Sequence, residues 1–458
     1  MKQKKFERIR TTALFFLVMV SLVIFPVRAD EEYQIIVTLQ APEPKSLGRF
    51  GVETTLFEGG LIVGTNLADV GDIGSAGKAY IYDSNWVLTT TIPSPTPREA
   101  ETFGKQLDAY GDRIVISNDR ATIDGLDERG AVFLFDTDGS LILELQMPVP
   151  GKWQQFGAEV SLGKEIILVA EVGGIIEEVP HGGIVHAYDD EGGFIRSLIS
   201  PSIKPEGTFG WSLAVSDEFM LIGEPGNIQR GMIPESCSVY VYDYDWNHVA
   251  TLNAPDQMKR TAFGISTSTS RDYIVVGEPW ATVDGHEKAG RAHIFDTEWN
   301  HIATLQSPTP EAMAEFGYDV VVGGDIVVVG ERKGDVDVMN EGKAHVFDLE
   351  GDLISTLVSP EPFPGNQFGY SVETDGEIIV VCEADVEAGG VSKAGKVHVF
   401  GLGEPIADQP IPEEETTEES EPESESEKSG GIPGFPVESV VISLALVVLI
   451  LYLALRQR

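Results

Sequence analysis

Along most of this chain, short runs of Val, Ile, Leu and aromatic residues alternate with breaks built from Gly, Asp and Pro. Residues 316–360 show one full cycle. Phe316-Gly317-Tyr318-Asp319-Val320-Val321-Val322 has the β-branched content of a strand, and Gly323-Gly324-Asp325 follows as a tight turn. Residues 326–329 make a second, short apolar strand ending at Gly330-Glu331. A longer polar loop leads to Gly342. A third strand covers 343–347, and Asp348-Leu349-Glu350-Gly351 turns the chain into a fourth, closed by Ser359-Pro360. Strands this short, separated by turn residues, predict a four-stranded antiparallel meander.

The cycle recurs. Phe-Gly pairs stand at Phe50-Gly51, Phe103-Gly104, Phe156-Gly157, Phe209-Gly210, Phe263-Gly264, Phe316-Gly317 and Phe368-Gly369, which by subtraction are 52 to 54 residues apart. A constant period of this size means repeated units, stacked or set around an axis. The last unit stops at its third strand, 396–400. A strand of the fourth type, 35–39 with Ala41-Pro42 after it, precedes the first Phe-Gly. The two ends complement each other, so the expected fold is all-β: a seven-bladed β-propeller of four-stranded antiparallel blades. Its N-terminal strand completes the last blade and removes an exposed edge.

Successive strands of a meander reverse direction, so the loops joining strands four to one and two to three open on one face. Those are the long loops: 93–102 and 308–315, then 65–76, 118–129, 224–236, 278–289 and 331–341. Long loops on a rigid scaffold are the usual carriers of recognition. Candidate ligand anchors there are Arg120, Glu224, Glu278, Trp280, Arg332 and Lys333. Asp335, Asp337, Asn340 and Glu341 form an oxygen-rich loop with one Asp-x-Asp pair. It is the candidate calcium site, set against the alternative of solvated loop charge.

Other recurring residues read as structure. The Phe of each pair is expected in the core between blades, with its Gly at a position of close approach. Asp83, Asp136, Asp189, Asp243, Asp296 and Asp348 close the third strands and are expected to cap the following turns. His186, His293, His345 and His398 share one repeat position with Tyr80, Phe133 and Tyr240, as a packing site with a polar tip would.

The ends differ from the repeats. Residues 1–29 have a basic stretch, an apolar stretch and Val27-Arg28-Ala29, the organisation of a secretory signal. Residues 30–403 form the propeller, and 404–436 a stalk rich in Glu, Ser and Pro that cannot bury enough apolar surface to fold. Residues 437–455 are long and apolar enough to span a membrane, and Arg456 and Arg458 in the 456–458 tail place that end inside. The formal charge is −41. The acidic excess lies within 30–412, which argues against nucleic acid and anionic membrane surfaces as partners. The two cysteines, Cys237 and Cys382, fall in units four and seven, which do not adjoin in a seven-unit ring. They are expected as buried free thiols.

The Phe-Gly pairs, with Gly223-Glu224-Pro225 and Gly277-Glu278-Pro279 where the family has Gly-Ala-Pro, resemble the FG-GAP repeat of integrin α-subunit heads, and more closely its variant in microbial surface proteins. The resemblance implies a seven-bladed propeller that binds rather than catalyses, using the long-loop face. Integrin-type repeats bind calcium in a hairpin between strands one and two. Here those hairpins are as short as Gly323-Gly324-Asp325, too short to wrap such an ion. Pro433-Gly434-Phe435 before the apolar span resembles an archaeal sorting tail of the PGF type, which is replaced by a lipid anchor. A retained helix is the alternative.

The expectation is thus a membrane-tethered, extracellular, non-enzymatic propeller for adhesion or recognition of a protein or polysaccharide. No cofactor is required beyond the calcium considered above. The first alternative is a structural component of the cell envelope without a dissociable ligand. The second is a hydrolase or lyase, whose mark would be a compact cluster of perturbed carboxylates in the axial channel.

Overall fold

A computed structural model describes residues 32–149, 154–176, 178–336 and 338–402. The described strands form seven four-stranded antiparallel sheets. In blade 6 the strands run inner to outer as Phe316–Gly323, Ile326–Glu331, Lys343–Asp348 and Leu353–Leu357. Blades 1 to 5 repeat this order. The seventh sheet consists of Phe368–Thr374, Ile378–Glu383 and Lys396–Leu402, with Tyr33–Leu39 as its outer strand. Pairing runs from Tyr33 opposite Leu402 to Leu39 opposite Val397. The closure read from the sequence is therefore present, and its strand begins two residues earlier than expected. Each innermost strand touches those of both neighbouring blades, blade 7 meeting blade 1, so the ring is closed around an axis.

The core lies between blades. One cluster joins Leu61, Val63, Tyr80 and Tyr82 of blade 1 to Val380, Cys382, Val397 and Val399 of blade 7, with Phe50 among them. All seven repeat phenylalanines are at most 1% exposed, and burying each contributes roughly 1.5–3 kcal/mol. Their glycines have φ between 81° and 93°. A Cβ on Gly317 would also sit 2.2 Å from Arg291 O, so both backbone conformation and space demand glycine there.

The repeat stitches one blade to the next through backbone as well. Phe316 N donates to Ala289 O at 2.9 Å, Phe368 N to Glu341 O at 2.7 Å, and Phe50 N to Ala394 O at 2.7 Å across the closure. Both cysteines are free and buried, as expected. Cys237 Sγ donates to Pro225 O at 3.2 Å, and Cys382 Sγ lies 3.6 Å from Thr54 Oγ1. The turn aspartates also act as expected: Asp348 Oδ1 accepts from Glu350 N and Asp352 N, and Asp296 Oδ1 from Glu298 N and Asn300 N.

The signal segment 1–29, the stalk 404–436, the apolar span 437–455 and the tail 456–458 lie outside the described residues. No helix among the described residues is long and apolar enough to cross a membrane.

Candidate functional site

The antiparallel order places the loops after second and fourth strands on one face, with tight turns on the other. The second-to-third loops carry their own small hairpins. Ile123 pairs with Leu126 around Asp124 (φ 53°) and Gly125 (φ 74°), and Val283 with His286 around Asp284 (φ 50°) and Gly285 (φ 86°). Positive φ at both central residues marks the type I′ turn that suits twisted strands. At four junctions an ion pair ties the loop after the outer strand to the next blade. The acid after one blade's outer strand meets the base that opens the next blade's third strand: Asp256–Arg291 at 2.7 Å, Glu311–Lys343 at 3.0 Å, Glu361–Lys396 at 2.7 Å and Glu43–Lys78 at 3.0 Å. Surface pairs contribute about 0–1 kcal/mol each, so they orient the loops more than they stabilise the ring.

The sequence-derived anchors do not gather into one site. Arg120 is exposed on the blade 2 loop. Trp280, on blade 5, packs half-buried against the core between blades 4 and 5, with Lys288 Nζ 3.6 Å from its ring centre. Arg332 and Lys333, on blade 6, share Glu315: Arg332 Nε donates to Oε2 at 2.7 Å and Lys333 Nζ to Oε1 at 2.8 Å. Arg332 also lies 3.5 Å above the centre of the Tyr318 ring. Tyr318 packs on Tyr370 at 5.6 Å between ring centres, and Arg49 lies over the Tyr370 ring at 4.9 Å. This cation–aromatic row rims the channel over blades 6, 7 and 1.

In the candidate calcium loop, Asp337 lies outside the described residues. Asp335 Oδ1 accepts from Asn340 N at 2.6 Å, and Glu341, 1% exposed, accepts from Val338 N at 3.0 Å. These carboxylates fold the loop onto itself. Among the described residues no group of three or more His, Cys, Asp or Glu is placed to hold a metal ion.

Glu224 and Glu278 require correction. Both are 0% exposed, because the chain enters its loop only after them and their side chains turn into the blade. Glu224 accepts from Tyr240 Oη at 2.9 Å and Lys204 Nζ at 2.8 Å. Glu278 meets His293 Nε2 at 2.9 Å and Arg291. They belong to a column that the sequence reading missed. Glu171, Glu278, Glu331 and Glu383 each meet the repeat-position histidine of their own blade through Nε2, at 2.6 to 3.1 Å. The other ring nitrogen meets a hydroxyl on the outer strand: Ser197, Thr304, Thr356 or Thr38. The groups resemble a catalytic triad in composition only. Their histidines are at most 3% exposed and stack on the Phe-Gly phenylalanines, so no substrate reaches them.

The axial channel is the larger feature. Its cavity has a volume of about 620 Å³ and runs from Arg230 in the loops down to Tyr110. Besides Asp119, which pairs with Lys105, five carboxylates line it: Glu53, Asp108, Glu159, Asp319 and Glu373. Three stand third after the repeat Phe and two stand fifth, the inward-facing positions of a strand. Asp108 and Asp319 tie blades together. Asp108 Oδ2 accepts from Leu162 N at 2.8 Å, while Asp319 accepts from Ser266 Oγ at 2.8 Å and Val372 N at 2.9 Å. Burial pushes every one of these carboxyls up. Asp108 rises to about 6, held back by its backbone donors. Glu159 and Glu373 rise to about 8, with neighbouring Asp108 and Asp319 adding to burial. Glu53 is raised well above the usual range by burial and then by Asp319, Glu159 and Glu373, which shows that these groups feel one another across the channel. Perturbed carboxylates, one part of the mark set for a hydrolase or lyase, are thus present in the channel, but among the described residues no three of them converge on one point.

The sequence profile of the FG-GAP repeat family matches residues 246–295 and 299–347. Each match starts beside an outer strand and ends in or near the third strand of the next blade. Among solved structures, the WD40 domain of Neurospora crassa Pan2 is similar to this chain, with a TM-score of 0.51 over 82% of this chain and 97% of that one, at 13% identity. A likeness at that identity shows the fold alone. No protein of curated function matches the chain.

Proposed function

We propose that this protein is a non-catalytic recognition or adhesion propeller that presents its long-loop face to a protein or polysaccharide outside the cell. One observation carries the reading: the long loops open on one face, and ion pairs or type I′ hairpins orient several of them. A preformed loop surface lowers the ordering cost of binding. The FG-GAP profile match agrees with a binding role. Tethering rests on the sequence of 1–29 and 437–458, with either a retained helix or a processed lipid anchor at the C-terminal end. The test is capture from envelope and extracellular fractions by the propeller, beside a form with shortened 118–129, 278–289 and 331–341 loops. Specific capture lost with the loops supports recognition. Capture indifferent to the loops moves the assignment to a structural envelope component.

The channel carboxylates favour a second reading, a hydrolase or lyase. It calls for turnover of a glycan or polyuronide that Glu159→Gln or Glu373→Gln abolishes. Turnover unaffected by both changes removes it.

A further inference from the structure

Glu53, Glu159 and Glu373 face the axial cavity from blades 1, 3 and 7. Unlike Asp108 and Asp319, they make few internal bonds. Glu159 accepts from the Gln106 amide and Glu373 from Thr374 N. None of the three forms an ion pair among the described residues. The bases at the loop end are already committed: Arg49 to Asp385, Lys105 to Asp119 and Arg230 to Glu206. Once these carboxyls ionise, the cavity has a negative interior behind a charge-balanced mouth, and low-dielectric walls concentrate such a field on a cation.

A second observation is independent of the acids. Asn66 lines the same cavity, is 6% exposed, and its Oδ1 has no hydrogen-bond donor among the described residues. In their ionised form the carboxylates, like this amide oxygen, are acceptors only, and what would satisfy them is a donor carrying positive charge. A directly coordinated metal fits poorly, because calcium needs six to eight oxygens converging at about 2.3–2.6 Å and the described acids form no such group. An ammonium group brings three donors and no acceptor, and reaches separated oxygens from a flexible stem.

We infer that the axial channel is a socket for a primary ammonium group, carried by a small polyamine or by a lysine side chain of a protein ligand. A lysine enters from the loop face, whereas a polyamine needs none of its loops, so the socket does not rest on the loop-face reading. Cation entry also favours the ionised form of the raised glutamates, so binding releases protons and tightens as pH rises.

The test is calorimetric titration of the full chain with putrescine and with Nα-acetyl-lysinamide, at pH 6 and pH 8.5, beside the Nε-acetylated analogue and calcium. Saturable binding of either amine is expected, tighter at pH 8.5, with the acetylated analogue silent. Putrescine alone binding identifies a free polyamine, and lysinamide binding identifies a lysine of a partner. The triple change Glu53→Gln, Glu159→Gln, Glu373→Gln should weaken binding at least tenfold, and the exposed-turn control Glu350→Gln should not. Asn66→Ala, a single small change, should weaken it several-fold and serves if the triple variant fails to fold. Amine binding retained after loop shortening separates this socket from the loop-face function. Absence of binding by both amines, equal loss in Glu350→Gln, or tighter binding of calcium than of either amine would overturn the inference.

Discussion

His345 Nε2 lies 2.6 Å from Glu331 Oε2 inside blade 6, and both residues are 0% exposed. A buried pair of this kind costs most when one partner is removed. Glu331→Ala should therefore lower stability by about 2–3 kcal/mol, because it leaves the buried Nε2 of His345 without a partner. Blade 2 has Asn118 and Phe133 at the same two positions. The double change Glu331→Asn, His345→Phe should then cost less than the sum of its single changes, with a coupling of at least about 1 kcal/mol. Denaturant unfolding of the four proteins measures it. Additive costs would show that the pair is incidental to packing.

The same glutamates reveal a gap in three adjacent blades. Glu171 Oε1 accepts from Gln154 at 2.8 Å, and Glu383 Oε1 from Asn366 at 2.7 Å, each donor standing two residues before the repeat Phe. Blade 2 inverts the pair, Asn118 donating to Glu101 at 2.8 Å. Blades 4, 5 and 6 have Gly207, Thr261 and Ala314 at the donor position, and there Oε1 of Glu224, Glu278 and Glu331 has no hydrogen bond among the described residues, Glu331 Oε1 having only Lys343 Nζ at 4.0 Å. Ala314→Asn should supply the missing donor and raise stability by about 1 kcal/mol. A rise in thermal midpoint checks it. A fall would mean that the site cannot take the added volume.

How much of this was legible in the sequence depends on whether a feature repeats in every unit. The Phe-Gly period reported the blades because each inter-blade contact needs the same buried ring and the same positive-φ glycine. The closing strand was legible because residues 35–39 complement a missing fourth strand. The channel acids were not. Glu53, Glu159 and Asp319 stand third after their Phe, while Asp108 and Glu373 stand fifth. No column is uniformly acidic, and only ring closure brings the five together. Glu224 and Glu278 misled because they border long loops. The burial of Glu278 was signalled by the histidine column, since Glu at the end of strand two accompanies His in blades 3, 5, 6 and 7; in blade 4 Tyr240 stands in place of the His and meets Glu224.

The closure of the ring makes the N-terminal strand an integral part of blade 7. Tyr33–Leu39 covers the edge of Lys396–Leu402, and Thr38 Oγ1 meets His398 Nδ1 at 3.0 Å. Deleting residues 33–39 leaves an unpaired edge and uncovers Val397 and Val399. The truncated protein should lose cooperative unfolding and self-associate. Supplying a 33–39 peptide in trans should partly restore it. Scanning calorimetry with light scattering distinguishes this from a truncation that behaves as wild type, the outcome that would deny the strand its closing role.

The channel carboxyls predict a pH dependence whose sign differs from that of ordinary surface acids. Glu159 and Glu373 sit at about 8 in the folded protein, against roughly 4.3 for an unperturbed glutamate. Between those values the folded state holds more protons than the unfolded chain, so stability falls as pH rises through the window. The favourable contribution is complete below about pH 4.3 and lost as pH passes about 8. Asp108, at about 6, adds a smaller loss nearer neutrality. The net charge of −41 also works against the fold at high pH, so the wild-type curve alone does not isolate these groups. Comparison with Glu159→Gln and Glu373→Gln does, because each removes one titration while keeping an acceptor oxygen. Both variants should be more stable than wild type at pH 9, by on the order of 1 kcal/mol each once water in the channel is allowed for, and indistinguishable from it at pH 5. Equal stability of wild type and variants at pH 9 would place these carboxyls in the ordinary range and remove the channel's proton linkage.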